Sequence, residues 1–134
     1  MTHTVHPFAH RLGILRTWKS RWISHNPAEY RKNLGTDLAI RKFLTKRLRG
    51  MYVTAIEIER SQKALRILIK TSRPGLVIGR GGEGSTKLAK EVEAVVKLQK
   101  PKEMPQVKID IEEIRSPESQ APIVAYMIAE GDRK

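Results

Sequence analysis

Val77-Ile78-Gly79-Arg80-Gly81-Gly82 lies between a segment of period-2 apolar residues, Leu65 to Thr71, and a segment of period 3.6, Leu88 to Leu98. The first pattern is that of a half-buried strand, the second that of an amphipathic helix. Between them stands a Gly-x-x-Gly loop opening a helix. Glycine has no Cβ and adopts positive φ readily, so the backbone of such a loop comes close to a ligand chain. Unpaired amides and the positive dipole end of the helix favour phosphate there. The formal net charge is +12, which makes a sugar-phosphate strand the first ligand to consider.

Working outward, Ser61-Gln62-Lys63 is short enough to join this strand in a hairpin to Val53–Arg60, where Ile56 and Ile58 alternate with Glu57 and Glu59. The helix runs from about Glu83 to Gln99, with Leu88, Val92, Val95 and Val96 as its buried stripe, and Lys100-Pro101-Lys102 ends it. Val107, Ile109 and Ile111 then alternate with Lys108, Asp110 and Glu112 in a third strand. Upstream, Asn26-Pro27-Ala28-Glu29 reads as a helix start: cap, first-turn proline and capping-box acid. Leu34, Leu38, Ile40, Leu44 and Leu48 share an arc of about 160° at 100° per residue. Gly35 is a weak point in that helix and Gly50 its stop. Ser116-Pro117 and Pro122 bracket the start of a last apolar helix, Ile123 to Ala129, which Gly131 closes. The order predicts an α+β fold, a three-stranded sheet with helices packed on one face. Residues 1–25 show no clean periodicity and read as a basic N-terminal arm. Residues 26–115 read as the folded domain with its N-terminal helix, and 116–134 as a C-terminal helix.

The length of 134 residues suits one domain with appended arms. Charge is uneven along it. Residues 1–50 carry 11 Lys and Arg against 2 Asp and Glu, a net +9, while residues 51–134 carry 15 against 12, a net +3. Arg11, Arg16, Lys19 and Arg21 on the arm, and Lys42, Lys46, Arg47 and Arg49 on the first long helix, are candidates to neutralise phosphates. Trp18 and Trp22 fit either stacking on bases or packing against the sheet. A basic membrane-surface arm is disfavoured, because Met1 to Arg21 has no lipidation signal and no Leu/Phe-rich face. There is no cysteine, hence no disulfide or thiolate metal site, which fits a reducing cytosol. No apolar run approaches the roughly 18 residues of a membrane span, and the N-terminus has no apolar core of a secretory signal.

No cysteine supports a metal site at His3, His6 and His10, which sit on the arm, so no metal and no cofactor is expected. No Ser/His/Asp arrangement stands out, and Glu57 with Glu59 reads as a solvated or arginine-paired strand face. No enzymatic activity is expected. Gly79-Arg80-Gly81-Gly82-Glu83-Gly84 is also formally G-x-G-x-x-G, the dinucleotide fingerprint. Its context argues against that reading, since Pro74-Gly75 and a short turn separate strand from loop and three strands are too few for a doubly wound sheet. A purely structural turn is the remaining alternative.

The strand, Pro-Gly, Val-Ile-Gly-x-x-Gly, helix, strand arrangement resembles a KH domain of the prokaryotic (type II) topology. Further blocks resemble the S-three family of small-subunit ribosomal proteins: His6-Pro7-Phe8-Ala9-His10-Arg11-Leu12-Gly13, Trp18-Lys19-Ser20-Arg21-Trp22, Asp37 with Ile40-Arg41-Lys42-Phe43-Leu44, Ile56-Glu57-Ile58-Glu59-Arg60, Arg73-Pro74-Gly75 and Ile111-Glu112-Glu113-Ile114. The resemblance implies a structural, rRNA-binding constituent of the small-subunit head, near the mRNA entry path. Its expected contacts are the tenth and fourteenth small-subunit proteins, and its expected place is the cytoplasm, in ribosomes of bacterial or organellar type. In that reading Gly79, Arg80, Gly81 and Gly82 clamp about four nucleotides of single-stranded backbone, with Ile78 and Leu88 as candidates for the groove floor. A KH module of a ribosome-assembly factor is the alternative, although no G-x-x-x-x-G-K-[ST] loop is present. The sequence departs from the family pattern in three places. Gly84-Ser85 stands where an apolar anchor is usual, which leads us to expect a less rigid loop. His6 and Ala9-His10 vary the arm, and the chain ends at Lys134, where the family continues into a second, mostly β domain.

Overall fold

The computed structural model describes residues 3–61, 63–99, 101 and 104–131. Gln62 of the hairpin connection, and Lys100 and Lys102 of the helix stop, lie outside the described residues. The chain order is α1 (Pro7–His10), β1 (Ser20–Arg21), α2 (Pro27–Arg47), β2 (Val53–Arg60), β3 (Ala64–Thr71), α3 (Pro74–Ile78), α4 (Glu83–Leu98), β4 (Gln106–Glu113) and α5 (Ala121–Gly131), with single 3-10 turns at Arg80–Gly82 and Pro117–Ser119. The expected α+β architecture is present. The sheet, however, has four strands in the order β1-β2-β3-β4, because the arm adds the two-residue β1 in parallel to β2. β2 and β3 are antiparallel, and β3 and β4 are parallel.

The core lies between one sheet face and the helices α2 and α4. Ile58, Leu65, Ile67 and Ile69 from the sheet meet Ile40, Leu44 and Leu48 of α2, Val77 of α3, and Leu88, Val92 and Val96 of α4. Period-2 alternation puts these sheet residues on one face. On the opposite face, charges pair across the strands. Arg21 bridges Glu57 (3.0 Å) and Glu59 (2.6 Å), Lys70 bridges Glu57 (2.9 Å) and Glu112 (3.7 Å), and Arg66 reaches Glu59 (3.3 Å) and Asp110. This open face therefore consumes four carboxylates and three cations, and it offers a polyanion little net attraction.

The α2 helix starts as its sequence suggests, with the Asn26 side chain accepting from the Ala28 amide at 3.0 Å. It runs unbroken through Gly35. Its buried arc, though, differs from the leucine arc. Leu34 and Leu38 are exposed, whereas Thr36 and Asp37 are buried with Ile40, Leu44 and Leu48. Asp37, only 2 % exposed, sits inside the buried arc because it accepts hydrogen bonds from Trp22 Nε1 (2.6 Å) and Arg60 Nη2 (2.7 Å). A buried carboxylate needs such partners. Apolar periodicity alone therefore misplaced the first half of the helix face.

Downstream, Gly50 (φ +90°) turns the chain after α2, as expected of a helix stop. Thr71, fully buried, donates to the Met51 carbonyl at 2.8 Å and ties this turn to the end of β3. The α5 helix packs on β2 through Ile123, and its Tyr126 ring meets the Tyr52 ring edge-on at 5.5 Å.

Candidate nucleic-acid interface

The glycine loop follows β3 by way of α3. Arg73-Pro74-Gly75 leaves the strand, and α3 makes one turn that ends where the Gly79 amide donates to the Gly75 carbonyl at 3.0 Å. Gly79 (φ +70°), Gly81 (φ +62°) and Gly82 (φ +81°) all occupy conformations that side chains disfavour. Gly82 is the N-cap of α4, with no side-chain cap on the first amides. Gly79, Arg80 and Gly81 are exposed. The loop thus presents backbone N–H groups and one guanidinium to solvent at the positive end of a 16-residue helix.

Gly84 and Ser85, expected to loosen the loop, have packing roles instead. A Cβ at Gly84 would lie 2.6 Å from the Val77 carbonyl oxygen and 2.7 Å from that of Ile78. Only glycine lets the first turn of α4 rest on α3 this closely. The Ser85 hydroxyl donates back to the Gly82 carbonyl at 2.8 Å and ties helix to loop. Of the two groove candidates, Leu88 belongs to the core (5 % exposed), while Ile78 is 38 % exposed beside the loop.

The candidate cations fall into two groups. The N-terminal end of β2 pairs with the C-terminal end of β3, so the last turn of α2 and the glycine loop lie at the same end of the sheet. Lys46, Arg47 and Arg49 lie at or just past the C-terminal end of α2, with Lys42 one turn back. Arg47 pairs with Glu91 of α4 at 3.1 Å, an exposed bridge that costs little to open. Among the described residues, Lys42, Lys46, Arg49 and Arg80 have no carboxylate within ion-pair distance, and all four are exposed.

The second group lies on the arm, along the opposite edge of the sheet from α3 and α4, which pack on β4. The arm is not wholly extended. The His6 Nδ1 accepts from the Phe8 amide (3.1 Å) and caps α1, so this histidine works as a helix cap. Gly13 (φ +84°) turns the chain back, its amide donating to the Arg16 carbonyl at 2.9 Å. The Phe8 ring then gathers two cations, with Arg16 at 5.5 Å and Lys19 at 5.4 Å from its centroid. Arg11 donates to the Pro7 carbonyl at 2.8 Å and remains exposed. Arg21 is committed to Glu57 and Glu59 on the sheet. Trp22 packs on Tyr30 (5.1 Å between centroids), whereas Trp18 is 64 % exposed and remains available for stacking.

Arg41 was not among the residues singled out as phosphate-binding, and it anchors the arm. Its guanidinium donates to the Lys19 carbonyl (2.7 Å), the Ser20 hydroxyl (2.8 Å) and the Ile56 carbonyl, so it joins β1, β2 and α2. Burial holds it below the usual arginine range, against the opposing pull of Asp37 and Glu57. A planar fork with several donors is what such a three-way junction requires.

Residues 39–119 match the KH domain family. The chain belongs to that family. The matched span holds the Gly79–Gly82 loop, here called the KH loop for its place in that span, and all of β2 to β4 with α3 and α4. Over 130 residues, 97 % of its length, the chain is 40 % identical to small ribosomal subunit protein uS3 of Bdellovibrio bacteriovorus and 42 % identical to those of Xanthomonas euvesicatoria and Spiroplasma citri. The matches cover 55 %, 50 % and 50 % of those proteins. The chain therefore spans about half the length of the curated relatives it matches.

Proposed function

We propose that this KH chain is a non-enzymatic, rRNA-binding structural component of the small ribosomal subunit, held in cytoplasmic ribosomes of bacterial or organellar type. The KH loop takes single-stranded backbone through its exposed amides and Arg80. Arg11, Arg16 and Lys19 on the arm, with Lys42, Lys46 and Arg47 on α2 and Arg49 just after it, supply the sequence-independent attraction to phosphates. Arg21 contributes by pinning β1 to the sheet. The tenth and fourteenth small-subunit proteins are the neighbours, and the mRNA entry path lies nearby. The domains divide as arm 1–25, KH domain 26–115 and C-terminal helix 116–134. One observation carries this reading: an exposed loop with three positive-φ glycines opens α4 at the same end of the sheet as the C-terminal end of α2.

The test compares two variants on a single-stranded segment of small-subunit rRNA across a salt series. Arg80→Asp with Gly81→Asp is expected to keep the fold at the cost of local strain at φ +62°, because a Cβ at Gly81 meets nothing within 4 Å and Asp is among the residues that visit positive φ most readily. Arg11→Gln with Arg16→Gln and Lys19→Gln removes three arm charges and leaves β1 in place. The loop change is expected to lower affinity with a modest change in salt slope. The arm change is expected to lower it further and to flatten the slope by about 0.7 per lost phosphate contact. Unchanged affinity in both variants would refute the reading. Co-sedimentation with mature subunits, and not only with precursors, separates it from an assembly factor.

A further inference from the structure

A cavity of about 380 Å³ lies between the C-terminal end of α2, the first half of β2 and α5. None of Gly79–Gly82 lines it, so it is distinct from the KH loop. Its walls differ in chemistry. One side carries Lys19, Arg41 and Arg49 with the hydroxyl residues Thr45 and Thr54, and the other carries Pro122, Ile123 and Tyr126. No Asp or Glu is among the residues that line it.

Two observations point to an anionic occupant. First, three cations around one cavity repel one another, and the repulsion grows as water is excluded. Second, the hydrogen bonds of Arg41 all go to neutral oxygens, and no carboxylate pairs with it among the described residues. The carboxylates it senses are already engaged, Asp37 by Trp22 and Arg60, and Glu57 by Arg21 and Lys70. Size then narrows the class. A water takes about 30 Å³ of liquid volume, so a lone phosphate would leave most of the cavity empty. Sites for small organic ligands begin at about 300 Å³ and pair an apolar wall with a few polar groups.

We propose that this cavity takes one phosphate-bearing nucleotide, its phosphate toward Lys19 and Arg49 and its sugar or base against Pro122, Ile123 and Tyr126. Lys19 belongs to the arm and Arg49 to the end of α2, so the occupant bridges the arm to the body. The nucleotide is either a residue of bound RNA, which rests on the function proposed above, or a free mononucleotide, which does not.

The test titrates the 15N-labelled chain with AMP, adenosine and inorganic phosphate at low salt, and follows backbone amides by NMR. AMP is expected to shift Gly50, Thr54 and Tyr126 saturably, with adenosine about tenfold weaker because it lacks the charge-assisted contacts. Lys19→Gln with Arg49→Gln is expected to abolish those shifts. Unsaturable shifts over all basic residues, shifts centred on Gly79–Gly82, or undiminished binding by the Lys19/Arg49 variant would each overturn the proposal. A single-stranded oligonucleotide that displaces AMP from Gly50 and Thr54 assigns RNA as the source. AMP binding that survives saturating oligonucleotide assigns a free nucleotide. Loss of oligonucleotide binding at arm and loop, with the AMP shifts intact, would sink the RNA reading and leave the cavity site standing.

Discussion

The two edges of the sheet hold their flanking segments by different chemistry. At the β1 edge the arm is fastened by side chains: Trp22 and Arg60 on the buried Asp37, the Arg41 fork on Lys19, Ser20 and Ile56, and Arg21 on Glu57 and Glu59. At the β4 edge the KH loop is shaped by backbone: three positive-φ glycines, and the close rest of Gly84 on the α3 carbonyls. A side-chain clasp can be opened one group at a time and responds to salt and pH. A backbone approach is limited by sterics and responds to volume. The arm is thus held by an adjustable clasp, and the loop by a steric fit. Deleting residues 1–25 would remove Trp22 and β1 as well as charge, so charge substitutions separate the two roles more cleanly.

The largest expected effect breaks the arm clasp at its centre. Asp37→Ala leaves Arg60 largely buried with no carboxylate, and Trp22 without its acceptor. Removing one partner of a buried ion pair costs about 3–5 kcal/mol, to be read from urea denaturation. The amides of Trp18 to Trp22 should lose exchange protection first, while those of the α4 interior, Leu88 to Val96, keep theirs. Equal loss at both edges would mean that the edges are not independent, and a loss below about 1 kcal/mol would place this carboxylate among ordinary surface groups.

Next comes the steric counterpart at the other edge. Gly84→Ala puts a Cβ against two backbone carbonyls, which have no side-chain freedom to yield. Overpacking of this kind costs about 1–3 kcal/mol and should appear as a lower thermal midpoint with amide shifts confined to α3 and the start of α4. If the variant melts like the parent, Gly84 is a flexible position after all and the loop has the looseness its sequence suggested.

How much of this was legible follows from the same contrast. The strands β2, β3 and β4 were readable because one sheet face is buried and the other wet, so period-2 alternation is forced. The loop was readable because consecutive glycines between a strand and a helix have few other uses. β1 was not, since two residues carry no period and their pairing depends on Arg41, 20 or more positions away in sequence. The face of α2 was half misread because its centre is a carboxylate, and no hydrophobic pattern marks a buried Asp37. Gly84 was misread for a related reason: a glycine at a helix start signals freedom in sequence, and only the neighbouring carbonyls show that it signals contact.

A milder change sharpens the arm side alone. Arg41→Lys keeps the charge but cannot reproduce a fork that serves three oxygens. The expected cost is about 1 kcal/mol per net hydrogen bond lost, with β1 amides exchanging faster and the KH loop unchanged. Full protection of Ser20 and Arg21 in the lysine variant would show that Asp37 and Arg21 suffice to seat the strand.

The smallest expected effect is a pH dependence that the two edges should not share. The hydrogen bond from Arg21 holds the Glu59 carboxyl below its ordinary 4.5, and Arg66 adds to the pull. A depressed folded-state pKa means that the unfolded chain binds the proton more readily, so stability rises with pH through this window. The contribution is complete above about pH 4.5 and is lost as the pH falls through the lower folded value. Glu59→Gln should therefore lower the urea midpoint slightly at neutral pH and flatten its fall below pH 4.5, and added salt should shrink the difference, as for any exposed pair. Gly84→Ala, which touches no titratable group, should keep the acid limb of the parent. Superimposed acid limbs for Glu59→Gln and the parent would remove the charge ladder from the clasp and leave the arm hanging on Asp37 and Arg41.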